Sequence, residues 1–235
     1  MNSDEFIISP LGDSALIIDF GNIIDEIINK KILTFFHTIK QLSLPCIKDV
    51  VPAYSSLVVH YDILIVKQAA VTDKTAYEIL NEEIKKIIDN IINSPAASSR
   101  IIKIPICYAE NFALDINDIA KEKKLPVDEI ILLHTSKKYR VYMIGFLPGF
   151  AYMGEIDKQI EMPRKPQPRI KVEAGSVGIA GLQTGIYPLD SPGGWQIIGK
   201  TPLQLFNKQK NDPVLLQPGD EIEFYSITEN EFTNY

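Results

Sequence analysis

The sequence predicts an α+β protein: a small N-terminal α/β sandwich over residues 1–95, then a C-terminal region, 96–235, of many short strands forming a barrel or a sandwich. Three observations predict it. First, 13 glycines are spread unevenly over the 235 residues, with only Gly12 and Gly21 before position 145 and none between 22 and 144. Second, the early part carries long apolar stripes at helical spacing. Third, from Gly145 onward Gly and Pro recur every few residues between short apolar runs, as in all-β architectures. A hydrophobic fraction of 46% against 23% charged excludes a disordered chain or a disulfide miniprotein.

The elements follow in order. Residues 15–20 read as a strand ending at Gly21. Ile24, Ile27, Ile28, Phe35 and Ile39 then mark one face of a helix, with Asn22 as its N-cap. Val50–Val51 and residues 57–61 are β-branched or aromatic and predict two more strands. Thr72 or Asp73 caps a second helix, whose buried face is Ala76, Leu80, Ile84, Ile87, Ile88 and Ile91. Glu82 and Lys86 form an i,i+4 pair outside it. Residues 93–99, small and polar, read as the linker. Beyond it the pattern predicts a strand at 100–108, helical segments at 115–124 and 127–133 around Pro126, and a strand at 139–146. The runs 176–180, 195–198, 203–206 and 221–225 read as further strands, and Gln217-Pro-Gly-Asp220 as the turn into the last.

Composition also narrows function. The formal net charge of −6 argues against a nucleic-acid partner. Cys46 and Cys107 make no CxxC pair and predict reduced thiols. The first residues lack the basic stretch and apolar core of a signal peptide, and no uncharged run reaches the ~18 apolar residues of a spanning helix. A cytoplasmic location with no membrane contact is the expectation.

The motifs divide into weak and strong. Gly194-Trp-Gln-Ile-Ile-Gly199-Lys200-Thr201 fits the phosphate-loop pattern, but Pro202 follows where a helix should start, so a glycine turn and a strand is the better reading. His37, His60 and His134 have no metal-ligand spacing, so no metal site is expected. His134 ends a helical segment just before the glycine-rich region and is a candidate for proton transfer. Residues 162–169 hold Arg164, Lys165 and Arg169 among three prolines, a stiff loop able to present guanidinium forks to a carboxylate or phosphate. Gln183, Thr184 and Tyr187, with Ser191 and Trp195, put polar and aromatic groups on tight turns, as a pocket requires. Asp19, Asp62, Glu155, Asp157, Glu161 and Glu173 remain possible acids without a spacing argument.

Longer strings carry a family resemblance. Tyr139-Arg-Val-Tyr-Met-Ile-Gly-Phe-Leu-Pro-Gly-Phe-Ala-Tyr-Met-Gly154, Pro163-Arg164 with Pro168-Arg169, Ala174-Gly-Ser-Val-Gly-Ile-Ala-Gly-Leu-Gln-Thr-Gly-Ile-Tyr-Pro188 and Ser191-Pro-Gly-Gly-Trp-Gln-Ile-Ile-Gly-Lys-Thr-Pro202 resemble the PxpB/KipI family. So do residues 12–21 and 51–57. Ala151 and Lys200 depart from it, standing where the family commonly has Pro and Arg. The family comprises the PxpB subunit of bacterial 5-oxoprolinase, often labelled allophanate hydrolase subunit 1, and a KipI-type inhibitor of a sensor histidine kinase. The resemblance implies a cyclophilin-like C-terminal barrel. It implies partnership with a KipA-like subunit (PxpC) and a LamB/YcsF-like subunit (PxpA), ATP with magnesium as co-substrate, and no tightly bound cofactor. In that setting His134, Arg164 and Arg169 are the expected catalytic set. Phe150, Tyr152, Gln183, Thr184, Tyr187, Ser191 and Trp195 are the expected substrate-binding set. Inhibition of a histidine kinase by protein contact is the alternative, and prolyl isomerisation a remote third.

Overall fold

The computed structural model describes residues 6–69, 72–91 and 99–235. The residues read as a linker lie, apart from Ser99, outside the described set, as do the first five residues and the side chain of Ile91. The chain divides into two compact units, Met1–Ser98 and Ser99–Tyr235.

The first unit is a four-stranded antiparallel sheet under helices. Strands β1 (Ile7–Pro10), β2 (Ala15–Asp19), β3 (Ile47–Pro52) and β4 (Ser56–Tyr61) lie in the order β1-β2-β4-β3. Helix α1 (Glu26–Leu42) packs on β3 and β4, and α3 (Ala76–Ile91) on β2. The short α2 (Ile63–Gln68) packs on α3. The N-cap of α1 is Asp25, whose carboxylate accepts from the Ile28 N–H at 2.9 Å; the helix therefore starts after Asn22, the expected cap. Ile28, Ile32, Phe35 and Ile39 form its buried stripe, while Ile27 is exposed. Helix α3 is capped by Thr75, not by Thr72 or Asp73. Thr75 and Glu78 exchange hydrogen bonds of 3.2 and 2.7 Å in a capping box. Ala76, Leu80, Ile84 and Ile88 are its buried face, with Ile87 half-buried. Glu82 is bound by Lys74 at 2.6 Å rather than by Lys86. Strand β1 and helix α2 are additions to the expected elements. The apolar Ile63-Leu-Ile65 start of α2 is too short for a helical stripe, but Asp62 caps it through the Leu64 and Ile65 N–H groups.

The second unit is a closed barrel. Its strands are β5 (Ile101–Cys107), β6 (Lys138–Ile144), β7 (Ala151–Gly154), β9 (Ser176–Ala180), β10 (Gln183–Ile186), β12 (Gln196–Lys200) and β13 (Glu221–Ile227), closing as β10-β7-β6-β13-β5-β12-β9. Strands β8 (Arg169–Val172) and β11 (Ser191–Gly193) make a separate two-stranded ribbon. Helices α4 (Ile116–Lys123) and α5 (Val127–Thr135) pack on each other and on β12 and β13 respectively, and α6 (Glu229–Thr233) ends the chain against β5. Residues 203–206 are not a strand; only an isolated bridge joins Phe206 to Val214.

Closure depends on β13, which slots between β6 and β5 and runs parallel to β5. The expected turn at 217–220 feeds it. Buried Asp220 accepts from Arg100 Nε at 2.8 Å and Nη2 at 2.6 Å, and from the Gln217 N–H at 2.7 Å. One carboxylate thus ties the turn to the start of β5 and sets the parallel register. Asp220→Ala leaves the Gln217 N–H and the guanidinium unmatched and is expected to cost about 2 kcal/mol. Arg100→Met leaves the buried Asp220 carboxylate with the Gln217 N–H but without its cation, and should cost at least as much. Urea unfolding of both variants checks these costs.

Candidate functional site

The barrel has two faces, and strand alternation decides which side chains reach which. On one row Tyr152, Gly185, Gly178 and Ile197 are neighbours across β7, β10, β9 and β12. The two glycines leave a hollow. A methyl at Gly185 would come within 2.9 Å of the Phe150 ring, and one at Gly178 within 3.0 Å of Trp195 Cβ. The hollow makes room for the Phe150 ring and for Trp195 against the sheet. Their ring centroids are 5.4 Å apart at 86°, and Tyr152 and Tyr187 stand edge-on to Phe150 at 4.8 and 5.2 Å. Phe146 extends this cluster outward. Its centroid is 5.6 Å from Phe150, its side chain is exposed, and its φ is 67°. The Leu147 N–H donates to Gly145 O across it at 2.8 Å, so a strained γ-turn holds a phenyl ring toward solvent.

The cationic loop lies over this cluster and is pinned on both sides of Arg164. The Gln196 side chain donates to Pro163 O at 3.0 Å, and the Lys165 N–H donates to Gly194 O at 2.7 Å. Arg164 between them is exposed, with its guanidinium 6.0 Å from the Trp195 ring centroid. Lys165 Nζ and Arg169 Nη2 both turn inward to Asp115 Oδ1, at 2.7 and 2.6 Å, while the Ile197 N–H donates to Asp115 Oδ2 at 2.6 Å. Asp115 precedes α4 as its N-cap residue yet makes no side-chain bond to that helix. Burial pushes its carboxyl pKa up, but the Arg169, Lys165 and Ile197 donors outweigh that and hold it below the usual value. Arg169 Nη1 is buried without a hydrogen-bond partner among the described residues, an unmatched donor on a guanidinium otherwise turned to Asp115. Burial raises the Tyr187 and Tyr152 hydroxyl pKa values, with Arg164 opposing in both.

The expected site residues therefore separate. Phe150, Tyr152, Tyr187, Trp195, Arg164 and Arg169 come together. His134 and Thr184 do not. They lie in the interior, where His134 Nε2 meets Thr184 Oγ1 at 3.0 Å and Nδ1 meets the Tyr108 hydroxyl at 2.8 Å. The His134 ring stacks on Phe224 at 4.9 Å, and burial pushes its pKa from 6.5 down to about 3. Thr184 also donates to Gly178 O at 3.2 Å, which matches a neutral imidazole protonated on Nε2. Proton transfer by His134 is corrected on these grounds: the ring is sealed, neutral and occupied on both nitrogens. Ser191 is buried on the ribbon with its hydroxyl on Pro192 O, and Gln183 is half-buried at the start of β10. Among the possible acids, Asp19, Asp62 and Asp157 accept from nearby backbone N–H groups. The phosphate-loop string runs along β12, where a methyl at Gly199 would meet Ile106 Cγ2 at 2.6 Å and no helix follows. Sequence reading missed Asp115, which looks like an ordinary helix start, and Phe146, whose exposure no pattern signals. Among the described residues no group of three or more His, Cys, Asp or Glu gathers to hold a metal, and no helix is long and apolar enough to cross a membrane.

Comparison with known proteins adds names. Residues 6–216 match the family model for the carboxyltransferase domain, subdomains C and D. The chain is 41% identical to the B subunit of 5-oxoprolinase from Bacillus subtilis over 97% of this chain and 95% of that protein. It is 46% identical to the protein of the same name from Escherichia coli O157:H7 over 54% of this chain and 58% of that one. Among solved structures, TTHA0988 superposes with a TM-score of 0.77 at 31% identity, covering 91% of this chain and 40% of that one. The urea amidolyase of K. lactis shares the fold at 19% identity and a TM-score of 0.74, covering 97% of this chain and 15% of that one.

Two outcomes test the geometry. Asp115→Ala strands two cations that are each about a quarter exposed, and should cost roughly 2–3 kcal/mol, read as a lower melting temperature. His134 contributes an acid limit. Its folded pKa lies below the unfolded value of 6.5, so below that pH the unfolded chain takes up a proton that the folded chain refuses. The neutral ring's contribution is complete above pH 6.5 and declines by up to about 1 kcal/mol per pH unit as pH falls toward 3. In His134→Gln the loss of stability between pH 6.5 and 5 should be shallower.

Proposed function

Because the chain belongs to the PxpB/KipI family, that of the 5-oxoprolinase B subunit and the carboxyltransferase domain's subdomains C and D, we propose that it is the PxpB subunit of an ATP-dependent 5-oxoprolinase. In that complex it opens 5-oxo-L-proline to L-glutamate in the cytoplasm, with a KipA-like subunit (PxpC) and a LamB/YcsF-like subunit (PxpA).

The observation that carries the site is the pair of guanidinium groups beside one aromatic wall: Arg164 exposed over Trp195, and Arg169 with a buried unpaired nitrogen. Opening a lactam requires water to add at the carbonyl carbon and the ring C–N bond to break, the nitrogen leaving as the amine. Phosphorylating the amide oxygen would activate that carbon, and the phosphate would be released afterwards by hydrolysis. ATP, with its magnesium, supplies the phosphoryl group for that step. The chain's own share is electrostatic. Arg164 and Arg169 neutralise phosphoryl or carboxylate oxygens, more strongly where Phe150, Tyr152 and Trp195 exclude water. Tyr187 belongs to the same wall and would orient polar groups of the substrate. Asp115 and Lys165 are positioning residues, since they hold the loop and touch no substrate. The exposed arginine and aromatic rings, Phe146 included, have the composition of an interface hot spot, so a partner subunit would complete the site. No observation favours kinase inhibition over this reading.

Reconstitution with the two partner subunits tests it. Glutamate release from 5-oxo-L-proline and ATP is expected only when all three chains are present. Arg164→Met should lower turnover at least tenfold while the subunits still copurify. Full turnover without this chain would overturn the proposal, as would loss of a sensor kinase's autophosphorylation on binding this chain with no oxoprolinase activity.

A further inference from the structure

A second concave feature of the barrel unit lies outside the arginine–aromatic face. It is a cleft of about 190 Å³ whose walls include Phe112, Leu114, Val172, Lys171, Glu173 and Lys200. Its charged groups are paired at the rim. Lys200 Nζ lies 2.6 Å from Glu173, and Lys171 Nζ lies 2.8 Å from Asp190. The pairs are unequal in an informative way. Lys200 is 20% exposed, whereas Glu173 is 64% exposed, so the inner ammonium is fixed and its carboxylate partner can swing into water. Lys200 Nζ also stands 5.8 Å from the Phe112 ring centroid, and that ring is itself held against Phe232 at 4.4 Å. The volume falls below the roughly 300–1,000 Å³ of drug-sized pockets, which limits the occupant to a small metabolite of about ten heavy atoms.

We propose that this cleft binds a small amino-acid-like carboxylate, an α-amino acid or its lactam. The carboxylate would take Lys200 and Lys171, the adjacent N–H would donate to Glu173, and the aliphatic carbons would lie on Phe112, Leu114 and Val172. The mixture of signs selects this class. Inorganic phosphate would satisfy both ammonium groups, but it would meet the Glu173 carboxylate as a like charge and leave the apolar wall uncovered. The lysine involved is the one in the phosphate-loop-like string, which the arginine site does not use. The proposal rests on the oxoprolinase reading only for its probes, since substrate and product of that reaction are a lactam acid and an amino acid.

The test is titration of the purified full chain, by calorimetry and by amide chemical shifts, with 5-oxo-L-proline, L-glutamate and inorganic phosphate in turn. One of the two amino-acid probes is expected to bind and to shift the amides of residues 111–114, 171–176 and 200; the tighter one separates lactam from amino acid. Lys200→Met should weaken that binding at least tenfold. If Lys200→Met fails to fold, Lys171→Met, at a side chain 62% exposed, should weaken it severalfold. Binding of phosphate alone, shifts elsewhere on the chain, or no shift with either amino-acid probe would overturn the proposal. A chain that binds neither probe yet restores turnover in the three-subunit assay would remove the cleft and leave the subunit assignment standing.

Discussion

The candidate site depends on one buried carboxylate. Asp115 joins three segments distant in sequence: the start of α4, the proline-stiffened cationic loop and β12. Its own N–H donates to Ile197 O at 2.8 Å while its carboxylate takes the Ile197 N–H, so helix and strand are clasped from both sides. A carboxylate 1% exposed is tolerable only because three donors surround it, two of them charged. With Lys165 and Arg169 turned inward, Arg164 is the cation of the loop that faces out. The division of labour among three neighbouring cations is thus set by a residue from another part of the chain.

The second constraint is the glycine pair under the aromatic rings. Gly178 and Gly185 are cross-strand partners, and their missing side chains create the space that Phe150 and Trp195 fill. Late glycines read in sequence as turns. Some are turns, but these two lie inside β9 and β10, where close approach rather than chain reversal requires them. The same alternation sends Thr184, one residue from Gly185, to the opposite face and into the hydrogen-bonded network of His134. That network is satisfied, apolar-walled and sealed. It reads as core specification, with the histidine acting as a hydrogen-bond bridge between Tyr108 and Thr184.

The two units differ in how legible they were. In the first, Ile32 to Ile39 of α1 and Leu80 to Ile88 of α3 follow helical spacing closely, and both helices appear where the stripes place them. Their starts were misplaced by a few residues, because Asn22, Asp25, Thr72, Asp73 and Thr75 are all competent caps and only the packed structure chooses among them. In the second unit β5, β6, β9, β12 and β13 were readable, whereas β10 and β11 read as turns, β7 and β8 went unread, and 203–206 read as a strand that does not form. The barrel's closure was not readable, because it rests on a parallel β5–β13 pairing between segments over 100 residues apart.

The sequence by itself determined the α+β class, the change of architecture along the chain, and the residue types of the site: arginines on a stiff loop, with aromatic and small polar residues in the glycine-rich stretch. Its long strings also carried the family. Only the tertiary structure decided which of those residues share a surface. It moved His134 and Thr184 into the core, turned Arg169 toward Asp115, and left Arg164 over Trp195. The physical reason is that side-chain direction in a strand alternates at every residue, and charge pairing reaches across the fold. Neighbours in sequence can therefore face opposite ways, while the partner that orients them lies some 50 positions away.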